Sequence, residues 1–298
     1  MKKHIMALTV FALAAGAAYA QSNDTLAKIK ASGEVSLGVR DSSGLGFTIG
    51  GGKYVGFHTE MAERIIDDLS KQVGAPLKIK HQVITSQNRI PLLQNGTIDF
   101  ECGSTTNNAT RQKDVAFAVT TYVEEVRIAT KANSGIKSIK DLDGKTVAVT
   151  TGTTSVQHLR KHERGEGVNF KEVMGKDHAD SFLLLESGRA DAFVMDGSIL
   201  AANIAKSKSP KDFAIVGEVV NVEPIACMLR KDDPKMKTAI DESIKRQIKD
   251  GSLAKLYDKW FMQPIPPNNV TLNMPLSEST KAAWANPNDK PMEDYAKK

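Results

Sequence analysis

Apolar positions along this chain switch repeatedly between a period of two and a period of about four. Leu26 and Ile29 mark a short helix that Gly33 stops, and Val35 to Arg40 alternates like a strand. A Gly- and Ser-rich stretch from Asp41 to Gly52 reads as a loop. Phe57, Met61, Ile65 and Leu69 recur every four residues, which predicts an amphipathic helix ending near Gly74. Leu77 to Ile84 alternates again, Ser86 to Asn95 predicts a short helix closed by Gly96, and Ile98 to Cys102 a short strand. The order β-α-β-α-β argues for an α/β layer, with helices on a mostly parallel sheet.

The same order returns. Strands are predicted at Lys145 to Thr150, Phe170 to Met174, Asp191 to Met195 and Phe213 to Val219. Helices are predicted between them at Ser155 to His162, Ala179 to Ser187 and Ile199 to Ala205. A local echo accompanies the repeat: Leu92-Leu93-Gln94-Asn95-Gly96-Thr97-Ile98-Asp99 parallels Leu184-Leu185-Glu186-Ser187-Gly188-Arg189-Ala190-Asp191. Shared helix-stop chemistry is enough to produce so short a match. Ile225 to Arg230 predicts a further strand. Pro234 opens a helix over Lys235 to Lys249 with Ile240, Ile244 and Ile248 on one face, and Leu253 to Phe261 is another. Pro264 to Pro267 breaks regular structure, and the polar tail is expected to wrap the surface. No Gly/Ser-rich linker separates the two units. The chain is therefore expected to cross between lobes on extended segments, near Tyr122 to Val126 and Glu223 to Cys227. A ligand would lie in the cleft at the carboxyl ends of the strands.

Composition narrows the picture. The 298 residues are 41% hydrophobic and 25% charged, which excludes collagen-like, coiled-coil and disordered chains. A net charge of +5 and 6% aromatics give no nucleic-acid footprint. The start carries a pattern of its own. Lys2 and Lys3 precede an apolar run from Ile5 to Ala15, and Ala18-Tyr19-Ala20 places small residues at a cleavage site. The run falls short of the ~20 residues of a spanning helix. It predicts a signal peptide over residues 1–20. Export makes a disulfide between Cys102 and Cys227 chemically available. Two buried thiols acting as small hydrophobes are the other reading. The six His are scattered, so no metal site is expected.

Candidate chemistry gathers at strand ends and helix starts. Arg40 ends an apolar strand, either as a snorkelling rim residue or as a cleft cation. Ser86 can cap the helix that Arg89 joins in its first turn, where a cation opposes the helix dipole and a bound anion would relieve it. Ser104, Thr106 and neighbouring amides follow a strand, with Arg111 in the first turn of the next expected helix. Arginine grips a carboxylate through two parallel bonds. Thr150 to Ser155 forms a hydroxyl-rich turn around Gly152, without the Gly-Lys-Ser/Thr ending of a P-loop. His178 opens a helix. Asp196 ends a strand, as a helix cap or as a partner for a cation. Together these suit a small zwitterion with more negative than positive groups. No Gly-x-Ser-x-Gly, Cys-His or His-Glu-x-x-His pattern supplies a nucleophile with its base.

The stretches Ile84 to Thr97 and Asp99 to Asn108 carry a family resemblance. So do Gly152 to Ser155, Lys176 to His178, Leu185 to Ala190, Cys227 to Pro234 and Pro264 to Pro267. The chain resembles the periplasmic solute-binding proteins of polar amino-acid ABC transporters (solute-binding protein family 3), and within them the glutamate/aspartate-binding branch. The resemblance implies the two-lobed type II periplasmic binding protein fold. Lobe 1 would comprise 21–124 and 225–298, and lobe 2 would comprise 125–224. It implies that Arg111 grips an α-carboxylate with Thr106 and Thr154 donating, and that Asp196 and Ser104 receive the α-ammonium. Arg40, Ser86, Arg89 and His178 would surround a side-chain carboxylate. The implied protein is a periplasmic monomer with no cofactor. It would take L-glutamate or L-aspartate and hand it to a membrane permease. Asp41 to Tyr54 and Gly197-Ser198 depart from the family pattern. Two other classes compete. One is an enzyme on the same fold, such as a cyclohexadienyl dehydratase, with Glu101 or Asp196 as its acid. The other is a receptor's sensor domain, which the lack of a later apolar span disfavours.

Overall fold

Each half of the chain builds a sheet on one plan. A computed structural model describes residues 24–295, so the signal peptide expected over 1–20 lies outside the described residues. The strands, in chain order, are β1 (Glu34–Val39), β2 (Phe47–Gly50), β3 (Lys53–Val55), β4 (Lys78–Val83), β5 (Phe100–Glu101), β6 (Val115–Phe117), β7 (Tyr122–Lys131), β8 (Thr146–Thr150), β9 (Lys171–Gly175), β10 (Ala192–Asp196), β11 (Phe213–Ile225) and β12 (Met228–Arg230). One sheet runs β4-β1-β5-β12-β6 and the other β9-β8-β10-β7-β11. In each, the first three strands are parallel and the last two pair antiparallel.

The echo in the sequence has a structural counterpart. Gly96 and Gly188 both take positive φ after a helix. Gly96 N–H donates to the Leu93 carbonyl and Gly188 N–H to that of Leu185, both at 3.1 Å. Asp99 then donates its N–H to Ser36 O (2.8 Å), and its carboxylate accepts from Ser36 N (2.9 Å). Asp191 does the same with Thr146, at 2.7 and 2.8 Å. In both lobes, an aspartate sets the register of the third strand against the first.

Burial follows the predicted faces. Phe57, Met61, Ile65 and Leu69 are buried on the helix Phe57–Val73, with Gly74 in the left-handed region at its end. In lobe 2 the strand residues alternate between two clusters. Val194 and Ala192 join Val147 and Val149 on one face, whereas Phe193 and Met195 join Ala148 and Ala129 on the other. A sheet covered on both faces by helices requires this. Cys102 and Cys227 are disulfide-bonded (S–S 2.05 Å), which settles the two readings in favour of the bridge. They face each other because Met228 pairs with Glu101 in the β12/β5 ladder, one step along. The bridge encloses all of lobe 2, a separation of 125 residues, and is worth about 2–4 kcal/mol.

Four expectations change. The Asp41 to Gly52 segment is not all loop: β2 and β3 form a hairpin turned by Gly50, Gly51 and Gly52, all at positive φ. The helix predicted from Ser86 starts only at Arg89, with Thr85 and Asn88 closing the turn before it. Ser86 therefore caps nothing. Arg111 opens a three-residue 3-10 turn, not an α-helix. β11 runs through both the predicted strand and the crossing, with a register shift between Val216 and Asn221. The tail also does more than wrap. Its helix Glu278–Ala285 buries Trp284, whose indole N–H donates to Thr121 O (2.8 Å), and so braces β7 where the chain crosses.

Candidate functional site

The parallel strands of the two lobes point their carboxyl ends at one cleft. β1 delivers Arg40, β4 delivers Ser86 and Arg89, and β5 delivers Ser104, Thr106 and Arg111. From lobe 2, β8 delivers Thr153 and Thr154, β9 delivers His178, and β10 ends in Asp196. A strand end in an open α/β sheet leaves side chains and helix N-termini facing the crevice. Ser86, Arg89, Ser104, Thr106, Arg111, Thr153, Thr154, His178, Met195 and Asp196 line a cavity of about 180 Å³. Of the residues expected from sequence, only Arg40 is outside the lining. It stands behind, donating from Nη2 to Ser86 Oγ (3.2 Å) and to His178 Nε2 (2.8 Å).

Those contacts set the state of His178. An arginine can only donate, so Nε2 accepts and Nδ1 carries the proton toward Thr150 Oγ1 (3.2 Å). Burial, with Arg40 and Arg89 nearby, holds the imidazole well below its ordinary pKa. His178 is thus neutral and orients Arg40. Arg89 is only 2% exposed and donates from Nη1 to Ser104 O (3.2 Å) and Thr105 Oγ1 (2.6 Å). Arg111 donates to Thr106 O (2.8 Å) in lobe 1 and Gly152 O (3.3 Å) in lobe 2. Burial and repulsion from Arg89 bring Arg40 down to about 10 and Arg111 to about 9. All three remain charged at neutral pH, and their crowding favours an anion among them.

The acidic side is equally buried. Asp196 occupies the N-cap position of the helix Gly197–Lys206 but makes no cap bond, which excludes the structural reading of this residue. Neither of its oxygens has a protein partner. Burial, then Glu124 and Glu223, push its carboxyl well above the usual range. Glu124 and Glu223 were not expected as site residues. They face each other across the β7/β11 ladder and are almost fully buried. Their signal in the sequence was a Glu inside each extended crossing segment. Glu223 accepts from the hydroxyls of Thr106 and Thr154 (the latter 2.9 Å) and meets His158 Nε2 at 2.6 Å. A hydroxyl has one proton, so the two threonines serve a carboxylate in the cavity only by turning away from Glu223. Glu101, the other acid weighed for an enzyme, accepts from Thr105 Oγ1 and from the Gly103 N–H.

Three atoms of the basic side also lack protein partners: Arg40 Nη1, Arg89 Nε and Ser104 Oγ. Unpaired polar atoms are costly to bury, and their cluster marks where a polar ligand would be held. Among the described residues, no group of three or more His, Cys, Asp or Glu could hold a metal. No helix among them is long and apolar enough to cross a membrane.

The sequence pattern of the bacterial extracellular solute-binding proteins, family 3, matches residues 35–263. The chain belongs to this family. Among its family 3 relatives, the glutamate/aspartate import solute-binding protein of Salmonella typhimurium is 44% identical over 97% of this chain and 98% of its own. The L-glutamate/L-aspartate-binding protein of Pseudomonas aeruginosa is 42% identical over 90% of each. These relatives are named as binding proteins, not as enzymes. A mutant of ArgBP from T. maritima has a similar solved structure, with a TM-score of 0.71 and 29% identity. It covers 80% of this chain and 99% of its own. The two-lobed family fold agrees with the sheets described above.

Proposed function

We propose that this family 3 protein is the solute receptor of an ABC importer, binding L-glutamate and L-aspartate in the interlobe cleft and delivering them to a membrane permease. The unpartnered buried atoms carry the reading: donors on Arg40, Arg89 and Ser104 on one side of the cleft, and two bare acceptors on Asp196 on the other. A ligand matching this set needs an anionic end and a cationic one. Two cleft-lining arginines, backed by Arg40, against one cleft-lining carboxylate call for a second anion. Arg111 takes the α-carboxylate, with the Thr106 and Thr154 hydroxyls joining as they turn from Glu223. Asp196 takes the α-ammonium, with Ser104 beside it. Arg89, Arg40 and Ser86 face the side-chain carboxylate, and neutral His178 holds Arg40 in place. A neutral amide there would leave an arginine badly paired, the basis for rejecting glutamine.

We place the lobe boundaries at 124/125 and 224/225, with a cleaved leader over 1–20 and a monomer working in the periplasm. Isothermal titration with the common amino acids tests the ligand. Heat with L-glutamate and L-aspartate alone is expected. No heat with either, but heat with a basic or neutral amino acid, overturns the reading.

A further inference from the structure

The segment Asp41 to Val55 lies in lobe 1 and touches lobe 2 at three places. Ser42 Oγ accepts from the N–H of Ala179, in the first turn of a lobe 2 helix (3.2 Å). Gly44 rests on the first turn of the helix Gly197–Lys206. A Cβ on it would stand 2.3 Å from the backbone C and O of Ser198 and 2.7 Å from Ile199 N. At the other end of that helix, Lys206 Nζ sits 3.5 Å from the centroid of the Phe47 ring. The stretch from Gly44 to Phe47 thus reaches both ends of the helix. About 12 Å of helix axis separates Ser198 from Lys206, a distance that Gly44 to Phe47 and the lysine stem together cover.

From this geometry we propose that the loop leading into β2, together with Phe47 at the start of the hairpin, is the closing strap of the cleft, with Gly44 as the position whose bare backbone permits closure and Lys206 on Phe47 as its clasp. Gly44 is not among the glycines with positive φ. Alanine is therefore conformationally allowed there, and the three nearest obstructing atoms belong to the facing lobe. The atoms in the way are helix backbone, which cannot turn aside as a side chain would. A side chain at 44 is accommodated when the lobes stand apart and excluded when they meet. Phe47 is buried in the lobe 1 core and backed edge-on by Trp260 (5.9 Å). The ring is fixed, and the Lys206 ammonium gains its attraction only on closure. The three contacts fall on Ala179, the Ser198–Ile199 backbone and Lys206, which are not among the cavity-lining residues, so the strap would set affinity through the open–closed equilibrium.

The inference rests on the cleft being the ligand site. Wild type, Gly44→Ala, Gly44→Val and Lys206→Met are compared by titration with the amino-acid panel and by small-angle scattering with and without ligand. Thermal melting without ligand checks folding. Gly44→Ala is expected to melt like wild type yet bind at least 10-fold more weakly, and Gly44→Val to show no ligand-induced compaction. Lys206→Met is expected to weaken binding several-fold, through faster dissociation. Gly44→Val that binds and compacts like wild type overturns the strap. If wild type binds an amino acid other than glutamate or aspartate, the proposed ligand fails and the strap is judged on the one that binds. A wild type that no amino acid compacts overturns both.

Discussion

The two lobes share a sheet plan but divide the chemistry between them. At equivalent strand ends, lobe 1 presents Arg40, Arg89 and Arg111, while lobe 2 presents Thr154, neutral His178 and Asp196. The fold repeats because the same periodicity and the same Gly-x-x-Asp stop recur. The site does not repeat, because residues after a strand end are free of the packing that fixes the strand itself. Each lobe alone would expose an uncompensated set of charges. Only their meeting makes a cavity with both signs.

That contrast can be broken at several points. The largest effect is expected on the basic side. Arg111→Ala should weaken binding of L-glutamate by about 2–5 kcal/mol, since it removes a buried partner of a charge. Titration giving an unchanged affinity would take the α-carboxylate role from lobe 1.

The next effect lies on the crossing strand. Burial raises Glu124 to about 8 from an ordinary 4.5, with Ser198 opposing. Between those values the native state keeps a proton that the unfolded chain has lost, so this group's contribution to stability falls as pH rises. Glu124→Gln cannot ionise. Its advantage over wild type in denaturant melts should therefore be smallest at pH 5 and grow as the pH rises towards about 8. A difference independent of pH would refute this account of the acidic cluster.

The smallest effect separates the equivalent aspartates. Asp99 is 1% exposed and also meets Lys28 (2.8 Å) and Arg230 (3.7 Å), whereas Asp191 is exposed. Asp99→Ala should cost about 2–3 kcal/mol of stability and Asp191→Ala about 1 kcal/mol. Equal losses would mean that the shared backbone bonds, not burial, carry the energy.

Much of the site was readable along the chain. Strand ends followed by hydroxyls and arginines are local patterns, and all the expected residues except Arg40 line the cavity. Glu223 and Glu124 were hidden because a Glu in an extended segment has no local mark of its partner, and Glu124 stands beside Glu125 with nothing local to tell them apart. Their roles depend on a β7/β11 pairing that joins positions 99 residues apart. The hairpin β2/β3 was hidden because three consecutive glycines read as a loop when they are in fact its turn.

The sequence by itself determined the repeated α/β plan, the helix stops and the residue types at each strand end, since all are set by neighbours within a few positions. The tertiary structure alone decided which strand ends meet and that Cys102 reaches Cys227. It alone showed that His178 is neutral and that Gly44 has no room for a side chain. Each of these is fixed by an atom far away in sequence, brought close only when the sheets form and the lobes meet.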